Sequence, residues 1–171
     1  MRLTVHTDYS LRLLMGLALE PERQQTIAEL AQRYRISRNH LMKVAMNLAA
    51  AGFVESIRGR SGGLRLARPA NAISLGEVVR AIEDNSAFVE CFDRASNTCV
   101  VAPVCRLKGL LHEALAAFLG TLDRYTLADL VEPRDTGARM RQLLGGIAVV
   151  AAPPHARVKQ RRRSAASART A

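Results

Sequence analysis

Between Thr26 and Ala67 the chain changes hydrophobic period in a fixed order, and that order constrains the fold more than any other feature. Thr26-Ile27-Ala28-Glu29 is a capping box. A Thr hydroxyl and a Glu carboxylate three residues on satisfy amides that a helix start leaves open. Ile27, Leu30, Ala31 and Tyr34 follow at helical spacing. Arg35-Ile36 is a short turn, and Ser37 caps a helix whose Leu41, Val44, Ala45 and Leu48 fall at i, i+3, i+4 and i+7. Gly52 is the left-handed stop. The period then drops to two. Phe53-Val54-Glu55-Ser56-Ile57 alternates, Arg58-Gly59-Arg60-Ser61-Gly62-Gly63 is turn chemistry, and Leu64-Arg65-Leu66-Ala67 alternates up to Pro69. Ahead of all this, Thr7 is the expected cap of a helix with Leu11, Leu14, Met15 and Ala18, ended by Glu20-Pro21-Glu22. Helix, helix, turn, helix, β-hairpin is a winged helix-turn-helix in a mainly α chain.

Further along, Ser74-Leu75-Gly76-Glu77 reads as a second capping box, opening a helix through Val78, Val79 and Ile82. Residues 85–103 have no clean period. From Val104 a long amphipathic helix carries Leu107, Leu110, Leu111, Ala114, Leu115, Phe118 and Leu122. Thr126-Leu127-Ala128-Asp129 caps a short helix with Leu130 and Val131. No internal repeat is visible. The expected organisation is a DNA-binding domain over 1–84, a cysteine loop and long dimerisation helix over 85–132, and an extension over 133–171. From about 151 the extension is rich in Ala, Ser and Arg, and it reads as a disordered tail whose cations can add non-specific phosphate attraction.

Charge is distributed unevenly. Residues 1–70 hold 11 cations against 5 carboxylates, residues 71–150 hold 8 against 10, and residues 151–171 hold 6 against none. A basic N-terminal module beside a near-neutral middle is the electrostatic footprint of a DNA-binding domain with a second functional region. Arg-rich coding bias is the bland alternative, and it leaves the neutral middle unexplained. Aromatics are 4% of residues and Trp is absent, which argues against stacking platforms for single strands. No apolar run reaches the roughly 18–20 residues of a membrane helix. Met1 to Asp8 shows no signal-peptide core, so a cytoplasmic protein is expected.

The helix after the turn begins Ser37-Arg38-Asn39-His40, with Lys43 and Asn47 beyond. In a helix-turn-helix the N-terminal part of the second helix faces base edges. Arg pairs with guanine and Asn with adenine through two hydrogen bonds each, and Ser37 with the helix N-terminus can hold a phosphate. In the expected wing, Arg58, Arg60, Ser61, Gly62 and Arg65 surround a tip that can approach the DNA backbone closely. Taken singly, each is an ordinary surface residue. Their order within about 45 residues makes double-stranded DNA the expected partner.

Cys91, Cys99 and Cys105 are the only cysteines, so a complete intramolecular disulfide set is excluded. Thiolates grouped in a loop suit a soft metal. Zinc needs a fourth ligand. His112 is a candidate, yet it lies roughly 10 Å of helix rise from Cys105, and no CxxC pair is present. Spacing leaves an iron–sulfur cluster, zinc and three structural or reactive thiols all open. The apolar stripe of the long helix is broad for a lone appendage. A second copy would cover it and set two reading heads about 34–36 Å apart, so a homodimer is expected.

The chain resembles the winged-helix iron–sulfur transcriptional regulators, and within them the nitric-oxide-sensitive repressors. The resemblance rests on Leu3-Thr4 with Thr7-Asp8-Tyr9-Ser10-Leu11-Arg12, on residues 37–44 and 58–67, on the three cysteines with Cys105-Arg106-Leu107, and on Tyr125-Thr126-Leu127-Ala128-Asp129-Leu130. It covers about residues 1–132. It implies a homodimer with one iron–sulfur cluster per subunit, 4Fe–4S favoured over 2Fe–2S, held by Cys91, Cys99 and Cys105. It also implies a fourth, non-cysteine ligand, Asp8 of the partner subunit. The cluster-bound form would repress operators, and nitric oxide attack on the cluster would release DNA. An iron-availability or cluster-status regulator on the same scaffold is the alternative within the class, and a small iron–sulfur redox carrier the alternative outside it. Nothing supports an enzyme: no nucleotide-binding glycine motif and no nucleophile–base pattern is present.

Overall fold

The computed structural model describes residues 3–59, 62–83, 88–132 and 134–145. The expected disordered tail, and Arg60 and Ser61 of the wing, lie outside those residues. Among the described residues the order is α1 (Val5–Leu19), α2 (Ile27–Tyr34), α3 (Arg38–Ala50), β1 (Val54–Ile57), β2 (Gly63–Leu66), α4 (Leu75–Ile82), α5 (Arg106–Leu122), α6 (Leu127–Val131) and α7 (Arg134–Gly145), with short 3-10 turns between. The fold is mainly α, a winged helix-turn-helix with a long helix behind it.

Local chemistry sets most boundaries. Thr26 and Glu29 form the reciprocal capping box that opens α2, and Thr126 with Asp129 does the same for α6. Arg35 closes α2 in the left-handed region (φ 54°), and Gly52 follows α3 at φ 77°. Three expectations shift. The cap of α1 is Thr4, whose extended backbone and hydroxyl receive the Thr7 amide at 3.2 Å. Thr7 itself is fully buried one turn inside, its hydroxyl paired with that of Thr4. At α4 only half the box forms. Ser74 accepts from the Glu77 amide, while the Glu77 carboxylate is drawn 2.8 Å from Arg68 instead of back to the cap. The long helix starts at Arg106, with Cys105 at the cap.

Leu13, Leu14 and Leu17 of α1 lie at the centre of the core, against Leu30, Leu41, Leu48, Phe53 and Ile73. Each such buried side chain contributes about 1.5–3 kcal/mol. Gly16 lets α2 close on α1, since a Cβ there would sit 2.8 Å from Leu30. β1 and β2 pair antiparallel, Val54 with Leu66 through Ile57 with Gly63. Gln25 then extends the ladder by a two-way bond with Leu64. Its fully buried side chain donates to the Gly16 carbonyl at 2.7 Å and accepts from Arg33 at 3.1 Å, so one residue fastens the wing to α1 and α2.

α7 lies in the stretch expected only as an extension. Its Met140 and Leu144 pack on the core, its Arg141 reaches the Leu19 carbonyl, and Gly137 lies against the Val131 carbonyl where a Cβ would clash at 2.1 Å.

Candidate nucleic-acid interface and thiol site

α3 is positioned by one face. Leu41, Val44, Ala45 and Leu48 are buried. The opposite side carries Asn39, Lys43, Met46 and Ala50 in one row, flanked by Arg38 and Met42, all exposed. The two exposed methionines escaped sequence reasoning, and their helical spacing away from the buried set was the available signal. Ser37 stands at the N-cap but makes no side-chain cap hydrogen bond, which leaves its hydroxyl free. His40 and Asn47 turn toward α1. The His40 ring centroid is 6.3 Å from that of Tyr9, and the Asn47 amide nitrogen is 3.0 Å from His6 Nε2. Nothing in the sequence period marked His6 and Tyr9 as neighbours of the reading helix.

The packing sorts the cations. Among the described residues of 3–70, Arg12 pairs with Asp8, Arg23 and Arg33 with Glu20, Arg65 with Glu55 and Arg68 with Glu77. Arg35, Arg38, Lys43 and Arg58 have no carboxylate partner there, and all four belong to the helix-turn-helix or the start of the wing turn. Glu20 shows how the others are held. Burial raises its carboxyl pKa, but bonds from Arg23 and Arg33 outweigh this and leave it below the ordinary range. Arg65, expected at the wing, is engaged across the ladder, its Nη2 lying 2.7 Å from Glu55. In the wing turn Gly59 has φ 123°, and a Cβ at Gly62 would lie 2.4 Å from the Ile57 carbonyl.

The three thiols are free and half-buried. Cys91 sits in the 3-10 turn Glu90–Phe92, Cys99 in the irregular stretch after the turn at 94–96, and Cys105 at the cap of α5. Among the described residues no three His, Cys, Asp or Glu side chains converge on a single metal ion. His112, the candidate zinc ligand, instead stacks on Phe92 with centroids 3.8 Å apart. The donor chemistry fits an iron–sulfur cluster nonetheless. Three soft sulfurs are uncommitted to disulfides, and in a 4Fe–4S cluster each thiolate binds its own iron, so the sulfurs need not meet at one point. Asp8, on the first turn of α1, is half exposed and lies 2.8 Å from Arg12.

No residue of α5 is buried, and Leu107 and Leu110 are 60% and 58% exposed. Its C-terminal end is anchored on α4, where Asp123 pairs with Arg80 and lies against Gly76. No helix among the described residues is long and apolar enough to cross a membrane.

The family model described as Rrf2, iron-dependent transcriptional regulator, matches residues 3–133. The HTH-type transcriptional regulator NsrR of Shouchella clausii is 54% identical over 136 residues, covering 79% of this chain and 91% of the relative. The HTH-type transcriptional regulator NsrR of Geobacillus kaustophilus is 50% identical over 145 residues, covering 84% and 97%. Among solved structures, T. potens IscR superposes with a TM-score of 0.64 at 24% identity, over 78% of this chain and 88% of that one, a likeness of fold.

Proposed function

The chain belongs to the Rrf2 family of transcriptional regulators, and from that premise we propose that it is a dimeric, cytoplasmic repressor that senses nitric oxide through an iron–sulfur cluster and lets go of operator DNA in response. It is a regulator and not an enzyme. The observation that carries the DNA half of this reading is the sorting of charge within residues 3–70: among the described residues there, the cations left without carboxylates, Arg35, Arg38, Lys43 and Arg58, all belong to the helix-turn-helix and wing. Arg38, Asn39 and Lys43 face base edges, His40 joins them only by leaving its place beside Tyr9, and Ser37 takes a phosphate. Arg58, Arg60, Ser61, Gly62 and Arg65 grip the backbone beside the wing. Arg65 joins only by exchanging Glu55 for a phosphate.

α5 pairs with its copy through the uncovered leucines and sets the two reading heads. Cys91, Cys99 and Cys105 hold one cluster per subunit, 4Fe–4S in preference to 2Fe–2S, and Asp8 of the partner subunit supplies the remaining ligand. When bound, the group would supply iron able to react with a small diatomic ligand. Asp8 is shared between that role and Arg12, so the carboxylate has a second place to go when iron no longer needs it. Were Asp8 to leave such a site, α1 would be freed and the dimer would shift between two arrangements of its heads.

Anaerobically purified protein tests this. It should be coloured, with iron and sulfide in matching amounts, and Cys99→Ser should lose the visible absorbance. Nitric oxide should lower operator affinity more than an iron chelator does. Stronger release by the chelator would favour an iron-availability regulator, which the family's iron-dependent description also accommodates. Colourless protein that holds its operator and ignores nitric oxide would refute the reading.

A further inference from the structure

Cys91 and Cys99 each follow one member of a hydrogen-bonded pair. Oε1 of Glu90 accepts from the Thr98 amide at 2.5 Å and from the Thr98 hydroxyl at 2.6 Å. The intervening loop is ordered by its own side chains. Asp93 accepts from the Ala95 amide at 2.9 Å and from the Ser96 hydroxyl at 2.5 Å, and Asn97 accepts from the Cys99 amide at 3.1 Å. The Phe92–His112 stack docks this loop on α5, the helix that Cys105 caps.

We propose that Glu90 is the positioning residue of the thiol segment: by binding Thr98 at two points it fixes where Cys91 stands relative to Cys99. The inference rests on the cluster reading above. A segment ordered in advance loses less conformational freedom when metal binds, and the difference appears as affinity and slower loss. Glu90 acts here as a hydrogen-bond acceptor. Its geometry is what it contributes. A Gln at this position keeps a carbonyl oxygen that can accept both Thr98 donors, whereas Ala keeps nothing.

The test uses the full-length chain, reconstituted anaerobically with ferrous iron and sulfide. The rate at which EDTA bleaches the visible absorbance is then followed, with dimer mass and far-ultraviolet helix signal as controls. Glu90→Ala should bleach about tenfold faster than the parent, the usual cost of removing a residue that orients metal ligands. Glu90→Gln should stay within about twofold of the parent. Thr98→Val, which removes only the hydroxyl donor, should fall between, and adding it to Glu90→Ala should change nothing further. If Glu90→Ala alters the controls, Thr98→Val and Glu90→Gln decide. Parental bleaching in Glu90→Ala, or equal losses in Glu90→Gln and Glu90→Ala, overturns the inference and leaves the cluster reading standing. A parent that takes up no iron and sulfide overturns both.

Discussion

The imidazole Nε2 of His6 stands 3.0 Å from the side-chain amide nitrogen of Asn47, which ties the first turn of α1 to the third turn of α3. The Tyr9–His40 ring contact fastens the same two helices one turn further along α1 and two turns back along α3. Asp8 lies on that turn of α1 as well, so a displacement of α1 that moves Asp8 also moves the edge of the reading helix. His6→Ala removes one exposed hydrogen bond, worth about 0.5–1.5 kcal/mol. Operator affinity should fall roughly two- to tenfold, with random DNA less affected. Fluorescence anisotropy against both duplexes checks this, and unchanged operator affinity would make the tether irrelevant to reading.

Arg38 and Arg58 separate base contact from backbone contact. Arg38 is unpaired at the start of the reading helix, where bidentate pairing with guanine is worth about 1–3 kcal/mol. Arg38→Ala should therefore weaken operator binding more than random-duplex binding. Arg58→Ala should weaken both alike and reduce the log–log salt slope by about one. Equal losses on both duplexes for Arg38→Ala would make it a phosphate contact.

What was legible in the sequence was what two nearby residues decide. The Thr26–Glu29 and Thr126–Asp129 boxes span three residues each, and Gly52 needs only its own backbone angle, so all three could be read directly. Thr4 and Thr7 are both good caps three residues apart, and only the packing that buries Thr7 chooses between them. Arg65 reads as a free wing cation until strand register sets it opposite Glu55. α7 escaped because its apolar Met140 and Leu144 are spaced among Arg139, Arg141 and Gln142, and their value lies in a core built by α1 and α2. The Glu90–Thr98 pair spans a stretch with no period to betray it. Partners close in the chain were readable, and partners brought together by folding were not.

In the proposed function the uncovered stripe of α5 is the dimer contact. Leu110 is 58% exposed in the single chain, so replacing it leaves the fold of that chain alone. In a packed interface a new carboxylate without a partner costs about 3 kcal/mol or more, some two orders of magnitude in dissociation constant. Leu110→Asp should sediment as a monomer at concentrations where the parent is a dimer, with its helix signal intact and its operator binding lost. A dimeric mass for Leu110→Asp would move the interface off α5.

Tyr34 carries a measurable liability inside the core. Its hydroxyl is buried without a hydrogen-bond partner among the described residues, beside Gly16 and the half-buried Arg33. Burial pushes the phenol up to about 12, and the positive charges of Arg12 and Arg33 offset only part of that. The folded-state value is raised, so the folded chain keeps this proton where the unfolded chain has lost it. The contribution is therefore whole below the ordinary value of 10.0 and disappears as pH climbs toward 12. Two pH units correspond to about 2–3 kcal/mol. Tyr34→Phe removes the titration and the orphaned hydroxyl together. At neutral pH it should match the parent or gain up to ~1 kcal/mol. Between about pH 10 and 12 its urea midpoint should fall less steeply than the parent's. Parallel midpoints across that range would mean that the hydroxyl is solvated and that the phenol titrates as an ordinary surface tyrosine.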